Sequence, residues 1–596
     1  TFLLYSTCFE IPGRYRIETF IPLQVIIITY MHIKRIKKKG SVYLAQYESY
    51  REEGKVKTRF IKYLGKEGDE RGVPLPKKSP HIETPLYPEH SKRAGDVQLM
   101  WSIADSTLHM PKIINQICCG DDQIEGRTPG KILTAWAINK ALNSESASNV
   151  GEWIQTTTLP ELMELPEDYF TRHAFYSSLD RVCFKDSTAD GLTDFSNLIC
   201  DELYTHWRSL HPLPGTSREV VAYDLTPVLI FGSGDEFGER GYNSKKTNQK
   251  QINLCMLVSK WDKVPVSFFL LPGNFNSMAS VKDLLVQLLD LSYEPGTLIW
   301  DRGNSSEESI RDIEALGWNL ICGLRKGSTE AQSLLLQTEV PPKVTHRVRT
   351  TDTSSLYATR AQGTLCGRED AGVVYVNHAK KREAIDARNT ILAELDAELQ
   401  AFRENLNHVA EVEEGVAAIL GQYAEFFTVT ILQSGKRCTI SWAYNEVAID
   451  RASELDGKYL LYSTDTSMKA TEVVNEYLEK DFIEKTFRTL KTYLQMAPVR
   501  HWKNHRIRAI FLVNVLALWL RKVYDHQLNQ IPKKKREYGF DELLRRLKRV
   551  EYVEVGCAGQ EKAFWYLNLT DKMRDQLNAM GFQDLFPEKR LSQCKL

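Results

Sequence analysis

The feature that most constrains the fold is an alternation of apolar strand-like runs and helical segments between residues 218 and 327. Three strand-like runs come first, and each of the next two follows a helical segment, near residues 279–291 and 305–316. The runs are almost continuously apolar, as expected of strands whose sheet is covered on both faces. This order predicts an α/β fold with a mixed sheet and helices packed against it. The five runs are EVVAYDLTPVLIF, INLCMLVS, VPVSFFLLPG, TLIW and NLICGLR.

Composition sets the broad class of the protein. The chain has 596 residues, more than one compact core accommodates, so we expect two or three domains. Hydrophobic residues make up 42% and charged residues 26%, which excludes a wholly disordered chain. Lys and Arg number 77, as do Asp and Glu, so the net charge identifies no partner. The eleven cysteines form no C-x-x-C pair and no zinc-ligand spacing, and a cytoplasmic protein with reduced thiols is the simplest interpretation.

Two apolar runs invite a membrane interpretation. Residues 20–30 and 509–520 are each well short of the roughly 20 residues that a spanning helix needs, so we expect no membrane partner. The first run lies in a leader that begins with Thr1 and has no small-residue cleavage site. We expect Met31 to be the true start and residues 1–30 to be upstream read-through.

The first third of the chain is divided by charge and turn residues. Residues 31–66 hold far more basic than acidic side chains around Gly40 and Gly54, and predict a basic β-hairpin unit. A positive segment in a neutral protein indicates a polyanion-binding surface, although a solvated charged hairpin explains it equally well. Residues 67–95 are rich in Pro, Gly and Lys and predict a linker. Residues 96–212 have a helical pattern, and we expect a helical DNA-binding domain there.

The rest of the chain interrupts the sheet-containing domain and then completes it. A long charged helix near residues 379–415 lies among strand-like runs, which predicts a β-rich insertion. Helical patterns return after the insertion. The predicted order is the first part of the core at 218–327, the insertion at 328–465, the final core helices at 466–530 and a helical C-terminal tail at 531–596.

Two acids follow apolar strands. Asp224 closes VVAYD and Asp301 closes TLIWD. The carboxyl edge of an α/β sheet is where ligands bind, and two carboxylates close together favour a cation. The alternative is that each aspartate only caps the loop or helix that follows it.

A third acid, Glu484, lies in a helical pattern. On one helix, Tyr477, Lys480, Glu484 and Lys491 would fall within roughly 60° of one another, displaying an acid between two lysines and an aromatic hydroxyl. The alternative is a solvated stripe with a Lys–Glu pair spaced i,i+4, which stabilises a helix only slightly.

The spacing Tyr477-x2-Lys480-x3-Glu484-x6-Lys491 closely resembles the Tyr-x2-Arg-x3-Glu-x6-Lys signature of bacterial and archaeal insertion-sequence transposases of the DDE type. YDLT around Asp224, the GYNSKK loop, DRGNSSEESIRDIEALGWNLICGLRKG and DGKYLLYSTD are also similar to motifs of that family. So are the N-terminal KGSVYLAQYESYREEGKVKTRFIKYLGK and the helical SASNVGEWIQ. The resemblance covers about residues 31–530. It implies a ribonuclease-H-like catalytic core interrupted by a β-rich insertion.

Two positions depart from the family pattern. Lys480 replaces the usual Arg, which keeps the positive charge but loses the planar fork that binds phosphate through two hydrogen bonds. The loop after Gly241 reads YNSKKTNQK and lacks the Asp often found there. The three acids are intact.

The resemblance implies a transposase that binds terminal inverted repeats, cleaves DNA strands and transfers them to target DNA. Its cofactor would be Mg²⁺ or Mn²⁺, two ions per active site, with Asp224 contacting both ions and Asp301 and Glu484 completing one each. Besides Tyr477 and Lys480, the residues expected to bind DNA are Arg488, Lys491, Lys245, Lys246, His501 and Arg506.

The partners implied are terminal-repeat and target DNA and a second copy of the chain, in a homodimeric paired-end complex. The location implied is the prokaryotic cytoplasm, in association with the nucleoid. The insertion would handle a hairpin or flipped base, with Trp318 and Trp442 as candidate side chains. Two other hypotheses are a catalytically inactive DNA-binding protein derived from a transposase, and a hydrolase such as a glycosidase that uses paired carboxylates.

Overall fold

A computed structural model describes most of the chain. The described residues are 30–38, 41–52, 55–66, 87–120, 128–185, 191–215, 217–231, 238–241, 249–275, 278–291, 294–350, 355–402, 408–435, 437–497, 499, 501, 503–556 and 563–587. The predicted read-through at residues 1–30, except Tyr30, and residues 67–86 of the predicted linker lie outside them. The chain divides into two compact units, one made of residues 1–87, 556–563 and 590–596 and the other of residues 88–555 and 564–589.

The described part of the first unit contains a three-stranded antiparallel sheet. Its strands are β1 (Tyr30–Lys38), β2 (Ser41–Glu52) and β3 (Lys55–Lys66), with β2 in the centre. The sequence predicted a basic β-hairpin over residues 31–66, and the structure adds a third strand to it.

The second unit begins with a strand and a helical segment. Residues 87–95, predicted as the end of a linker, instead form a strand that leads directly into a helix. The elements of this segment are β4 (Tyr87–Arg93), α1 (Gly95–Ser102), α2 (Met110–Cys119), α3 (Pro129–Leu142), α4 (Val150–Gln155), α5 (Leu159–Leu162), α6 (Arg172–Val182), β5 (Cys183–Lys185), β6 (Leu192–Asp194) and α7 (Ser196–Leu210).

The strands and helices that the sequence predicted after residue 218 follow in order. They are β7 (Val220–Leu229), β8 (Glu239–Arg240), β9 (Lys250–Ser259), β10 (Pro265–Pro272), α8 (Val281–Leu289), β11 (Thr297–Trp300), α9 (Glu307–Ala315), β12 (Asn319–Gly323) and α10 (Thr329–Gln337). β7, β9 and β10 are antiparallel neighbours, whereas β11 is parallel to both β7 and β12. The α/β class and the mixed sheet are therefore confirmed.

The segment predicted as an insertion contains β13 (Arg347–Thr350), β14 (Ser355–Arg360), β15 (Thr364–Leu365), β16 (Arg368–Glu369), β17 (Gly372–Asn377), α11 (His378–Phe402), α12 (Val409–Leu420), β18 (Phe427–Ser434), β19 (Arg437–Tyr444), α13 (Glu446–Leu455) and β20 (Lys458–Ser463). The helix expected over 379–415 is two helices, α11 and α12. Four of the strands extend the central sheet, in the order β10-β9-β7-β11-β12-β20-β17-β14-β13. Only α11–α13 and the β18–β19 hairpin pack around a separate small core that includes Leu399 and Ile440.

The chain ends with α14 (Ala470–Glu479), α15 (Asp481–Arg488), α16 (Asn504–Asn529), α17 (Phe540–Leu547), β21 (Glu551–Gly556), β22 (Ala563–Leu567) and α18 (Asp571–Ala579). The tail was expected to be helical, but β21 and β22 form a sheet with β4. The Ala94 N–H donates to the Val550 carbonyl at 3.0 Å, because the start of α1 and the end of α17 pack together.

One core joins the helical segment to the sheet. Its largest fully buried side chains are tryptophans from α3, α7, β11 and α16, namely Trp136, Trp207, Trp300 and Trp519. The helical segment at 96–212 therefore shares a core with the sheet. α14 covers the opposite face, where Val473 and Val474 pack against Ile299. Among the described residues, no helix has the length and apolar content to span a membrane.

Candidate active site

Asp224 and Asp301 are neighbours on two parallel strands. The pairing of β11 with β7 ends with Trp300 opposite Tyr223, and the two aspartates are the next residues on their strands. Adjacent strands lie about 4.8 Å apart, so the two carboxyl groups share one edge of the sheet. Asp224 does not close its strand as expected, because β7 continues to Leu229 by pairing with β9.

Asp301 is held by side chains from the last helices. The Tyr477 hydroxyl donates to Asp301 Oδ1 at 2.7 Å, as does the Arg302 N–H at 2.8 Å, and Lys480 Nζ lies 3.9 Å from the same oxygen. Burial raises the pKa of Asp301, but Lys480, Tyr477 and Arg302 together lower it below its usual value. Asp301 is therefore an anion at neutral pH, with half of its side chain exposed to solvent.

Asp224 is in a different electrostatic environment. Its pKa is raised to about 6, chiefly by burial and also by the carboxylates of Asp301 and Glu484, against the opposing effects of the Leu225 N–H and Lys480. The Leu225 N–H donates to Asp224 Oδ1 at 2.8 Å. The three predicted acids thus act on one another electrostatically, and a cation beside Asp224 would relieve their repulsion.

The helix that carries Glu484 is interrupted at Lys480. We expected one continuous stripe, but α14 ends at Glu479 and α15 begins at Asp481. The Lys480 carbonyl accepts from the N–H of Ile483, three residues on, which tightens the chain between the two helices. Tyr477 and Lys480 contact Asp301 from this turn. Lys480 therefore pairs with Asp301, whereas the alternative interpretation paired it with Glu484, four residues on, in a solvated helical stripe. Glu484 is exposed in the first turn of α15.

Lys491 lies on the same side as Asp224. Its Nζ donates to Thr226 Oγ1 at 2.5 Å, and Thr226 is two residues after Asp224, so both point to one face of β7. Arg488 is exposed at the end of α15. The structure therefore gathers Tyr477, Lys480 and Lys491 around the acids.

The other expected DNA contacts are placed elsewhere or lie outside the described residues. Arg506 makes two hydrogen bonds to Asp180 on α6, at 2.6 and 2.5 Å. His501 packs edge-on against Tyr176 with ring centroids 6.0 Å apart, and burial lowers its pKa to about 4. Both side chains thus have partners on α6. Lys245 and Lys246 lie outside the described residues, and their role stays a prediction.

Both tryptophans considered for base handling are engaged in packing. Trp318 is buried, and the Trp442 indole N–H donates to Asp396 at 2.8 Å. These contacts fix both rings within their own cores.

Two features of the site escaped sequence reasoning. A Cβ on Gly323 would lie 2.6 Å from the Tyr477 hydroxyl oxygen, so only glycine leaves room for the bond to Asp301. Beside Asp301 there is also an open basic depression lined by Arg302, Gly303, Arg325 and Lys326. The basic residues after β12 were a visible signal for the depression, whereas nothing in the sequence places Gly323 against Tyr477.

The donor set suits a hard cation only in part. Carboxylate oxygens are the ligands that Mg²⁺ prefers, and the neighbouring Asp224 and Asp301 fit that preference. However, within the described ranges no group of three or more His, Cys, Asp or Glu side chains is close enough to hold a metal ion.

Two family models match the chain. The family model described as transposase DDE domain matches residues 215–520, more than half of the chain, and includes all three acids. The chain belongs to the DDE transposases. The model of the N-terminal domain of IS1634 family transposases matches residues 31–83, which makes the protein an insertion-sequence transposase.

Two further comparisons add little for this transposase. None of the curated proteins matches the sequence. A piggyBac transposase, solved by cryo-EM as a synaptic complex with hairpin DNA, is 10% identical over 83% of this chain and 86% of its own. Its TM-score is 0.34, too low to support an argument about the fold.

Proposed function

We propose that this transposase binds the terminal inverted repeats of its insertion sequence, cleaves the strand ends and joins them to target DNA. The observation that carries the proposal is the pair Asp224 and Asp301, each of which follows the last paired residue where the parallel strands β7 and β11 meet, with Glu484 near enough to affect the pKa of Asp224. Carboxylates clustered at one sheet edge beside lysines suit phosphodiester chemistry better than sugar hydrolysis.

We also propose a ribonuclease-H-like core. Support comes from the sheet order β10-β9-β7-β11-β12. In chain order, the antiparallel neighbours β7, β9 and β10 come first, and β11 and β12 then add on the other side of β7, parallel to it. In this proposal, residues 328–465 are the family's insertion, although four of their strands extend the same sheet.

Asp224, Asp301 and Glu484 would hold two Mg²⁺ or Mn²⁺ ions, which requires Glu484 to approach the other two acids, since no three such side chains of the described residues are close enough to hold a metal ion. When bound, such ions lower the pKa of an attacking water and neutralise charge on the attacking and leaving oxygens. The protein's own part is to keep Asp301 ionised through Lys480 and Tyr477, and to leave Asp224 able to lose its proton near pH 6.

DNA would be bound by side chains around this edge. Lys480 and Lys491, which lie beside Asp301 and Thr226, would contact the backbone beside the scissile phosphate, and Arg488 at the exposed end of α15 would extend the positive surface. We propose a homodimer on paired ends, acting in the prokaryotic cytoplasm at the nucleoid, as in the family.

Nicking of labelled DNA that carries the ends flanking the gene tests the proposal. Wild type, Asp301→Ala and the matched exposed control Asp312→Ala are compared in Mg²⁺, Ca²⁺ and EDTA. We expect cleavage at the element tip with Mg²⁺ only, reduced by about a thousandfold or more in Asp301→Ala and unchanged in Asp312→Ala. Tight binding of the ends without cleavage in any metal would instead identify an inactive DNA-binding protein derived from a transposase.

A further inference from the structure

The sheet of the first unit has a row of aromatic rings on one face. His32, Tyr47 and Phe60 lie opposite one another across β1, β2 and β3. The centroids of His32 and Tyr47 are 6.3 Å apart and those of Tyr47 and Phe60 are 5.7 Å apart. Tyr63 continues the row 4.9 Å from Phe60. Phe60 and Tyr63 are 47% and 64% exposed, so the end of the row is open to solvent.

A cation accompanies the rings. Lys34 is two residues from His32 and therefore on the same face, with its Nζ 4.8 Å from the centroid of the Tyr47 ring. The same Nζ donates to Thr58 Oγ1 at 3.2 Å, which holds it above the sheet. This face thus combines aromatic surface with a fixed positive charge.

The opposite face is chemically different. Arg59 pairs there with Glu48 at 2.6 Å, and Ile33 is 60% exposed. Residues 30–66 contain eleven Lys and Arg against three Glu, so the whole unit attracts a polyanion. Charge complementarity favours nucleic acid as the partner, and the aromatic rings on one face favour unpaired bases over a duplex.

We propose that the aromatic face binds unpaired bases of single-stranded DNA. Bases in a duplex stack on one another and offer no free ring face, whereas unpaired bases stack on exposed aromatic side chains with little regard to sequence. Lys34 is placed to meet the phosphate of a stacked nucleotide. This activity goes beyond the proposed cleavage, and it needs neither divalent metal nor Asp301.

Fluorescence anisotropy of the full-length protein in EDTA tests the proposal with a labelled oligothymidine and a mixed-sequence duplex. The variant is Phe60→Leu with Tyr63→Leu, which keeps apolar side chains but removes the rings, and the matched control on the other face is Ile33→Ala. We expect single-strand affinity to fall about tenfold or more in the double variant, with duplex affinity and the control nearly unchanged. An unchanged single-strand affinity, or an equal loss for duplex, would overturn the proposal.

Photocrosslinking keeps the test independent of variant folding. A single strand containing 5-iododeoxyuridine should crosslink to Tyr47, Phe60 or Tyr63 of the wild-type chain, as located by mass spectrometry. Crosslinks confined to residues outside 30–66 would contradict the proposal. Asp301→Ala should bind and crosslink like wild type, so failure of the proposed cleavage and failure of this binding are distinguishable.

Discussion

The two sheets of this transposase differ in what surrounds their side chains. In the central sheet every residue of β9 from Gln251 to Ser259 is buried, whereas in the N-terminal sheet Val56, Phe60 and Tyr63 are all exposed. The same type of interaction is therefore expected to contribute differently to the stability of the two sheets. Ion pairs and hydrogen bonds of the central sheet act in a low-dielectric interior, and those of the N-terminal sheet compete with water.

Arg208 provides the strongest test of this difference. Its guanidinium, 15% exposed, pairs with Asp262 and with Glu219 at 3.1 Å, joining α7 to β7 and to the turn after β9. Arg208→Ala takes the guanidinium away from both buried carboxylates, of which Asp262 keeps His526 at 3.2 Å, and we expect a loss of about 3–5 kcal/mol in the free energy of unfolding, measured by urea denaturation.

The matched control for Arg208 is Arg311→Ala. Arg311 pairs with Glu307 on α9, 3.7 Å away, and both side chains are more than 60% exposed. We expect a change below about 0.5 kcal/mol there. Equal losses in the two variants would contradict the expected difference between buried and exposed ion pairs. A separate unfolding transition of Arg208→Ala at low urea would show that the helical segment unfolds independently of the sheet.

Gly323→Ala tests how tightly the buried end of the central sheet is packed within the site. The added methyl group would lie 2.6 Å from the Tyr477 hydroxyl, so Tyr477 must move away from Asp301. We expect a destabilisation of about 1–3 kcal/mol by thermal unfolding. Adding Tyr477→Phe should recover part of that loss, because it removes the atom that clashes. Gly327→Ala, where the methyl group would meet nothing within 4 Å, should have little effect, and an equal cost there would contradict the explanation.

The raised pKa of Asp224 predicts a pH-dependent stability. Because the folded-state pKa of about 6 is above the ordinary value of 3.8, its contribution to stability is present below pH 3.8 and is lost as the pH rises through 6. In EDTA we expect Asp224→Asn to be more stable than wild type at pH 7.5 by about 1 kcal/mol, after allowing for solvent screening, and equal to it near pH 4. Thermal unfolding across this pH range, with Asp312→Asn as control, measures the difference. A gain that is independent of pH would contradict the assignment.

The smallest effect is expected in the N-terminal sheet. Arg59 is 67% exposed where it pairs with Glu48, so Arg59→Ala should cost about 0.5 kcal/mol or less, and the cost should fade at high salt. Hydrogen exchange of the β2 and β3 amides reports this locally. A loss as large as that of Arg208→Ala would show that the exposed sheet relies on its charges for stability.

Sequence reasoning succeeded where a signal is local. The apolar runs between 218 and 327 predicted the mixed sheet, and the spacing from Tyr477 to Lys491 pointed to the family. Sequence reasoning was less successful where the structure depends on packing between distant parts of the chain. Examples are the break at Lys480, the division of the helix expected over 379–415, and the strands β21 and β22. Lys480 shows the limit best, because its partner Asp301 is far away in the chain and a helical stripe was the simpler local interpretation.

The sequence by itself determined the class of fold and the basic character of residues 31–66, and it predicted the three acids of the site, because periodicity, residue type and charge are local properties of the sequence. Only the tertiary structure decided that Asp224 lies within β7, that Tyr477 reaches Asp301 over Gly323, and that Arg506 pairs with Asp180. These contacts join residues far apart in the chain. They form because burial of the shared core brings particular surfaces together, and no local pattern specifies which surfaces meet.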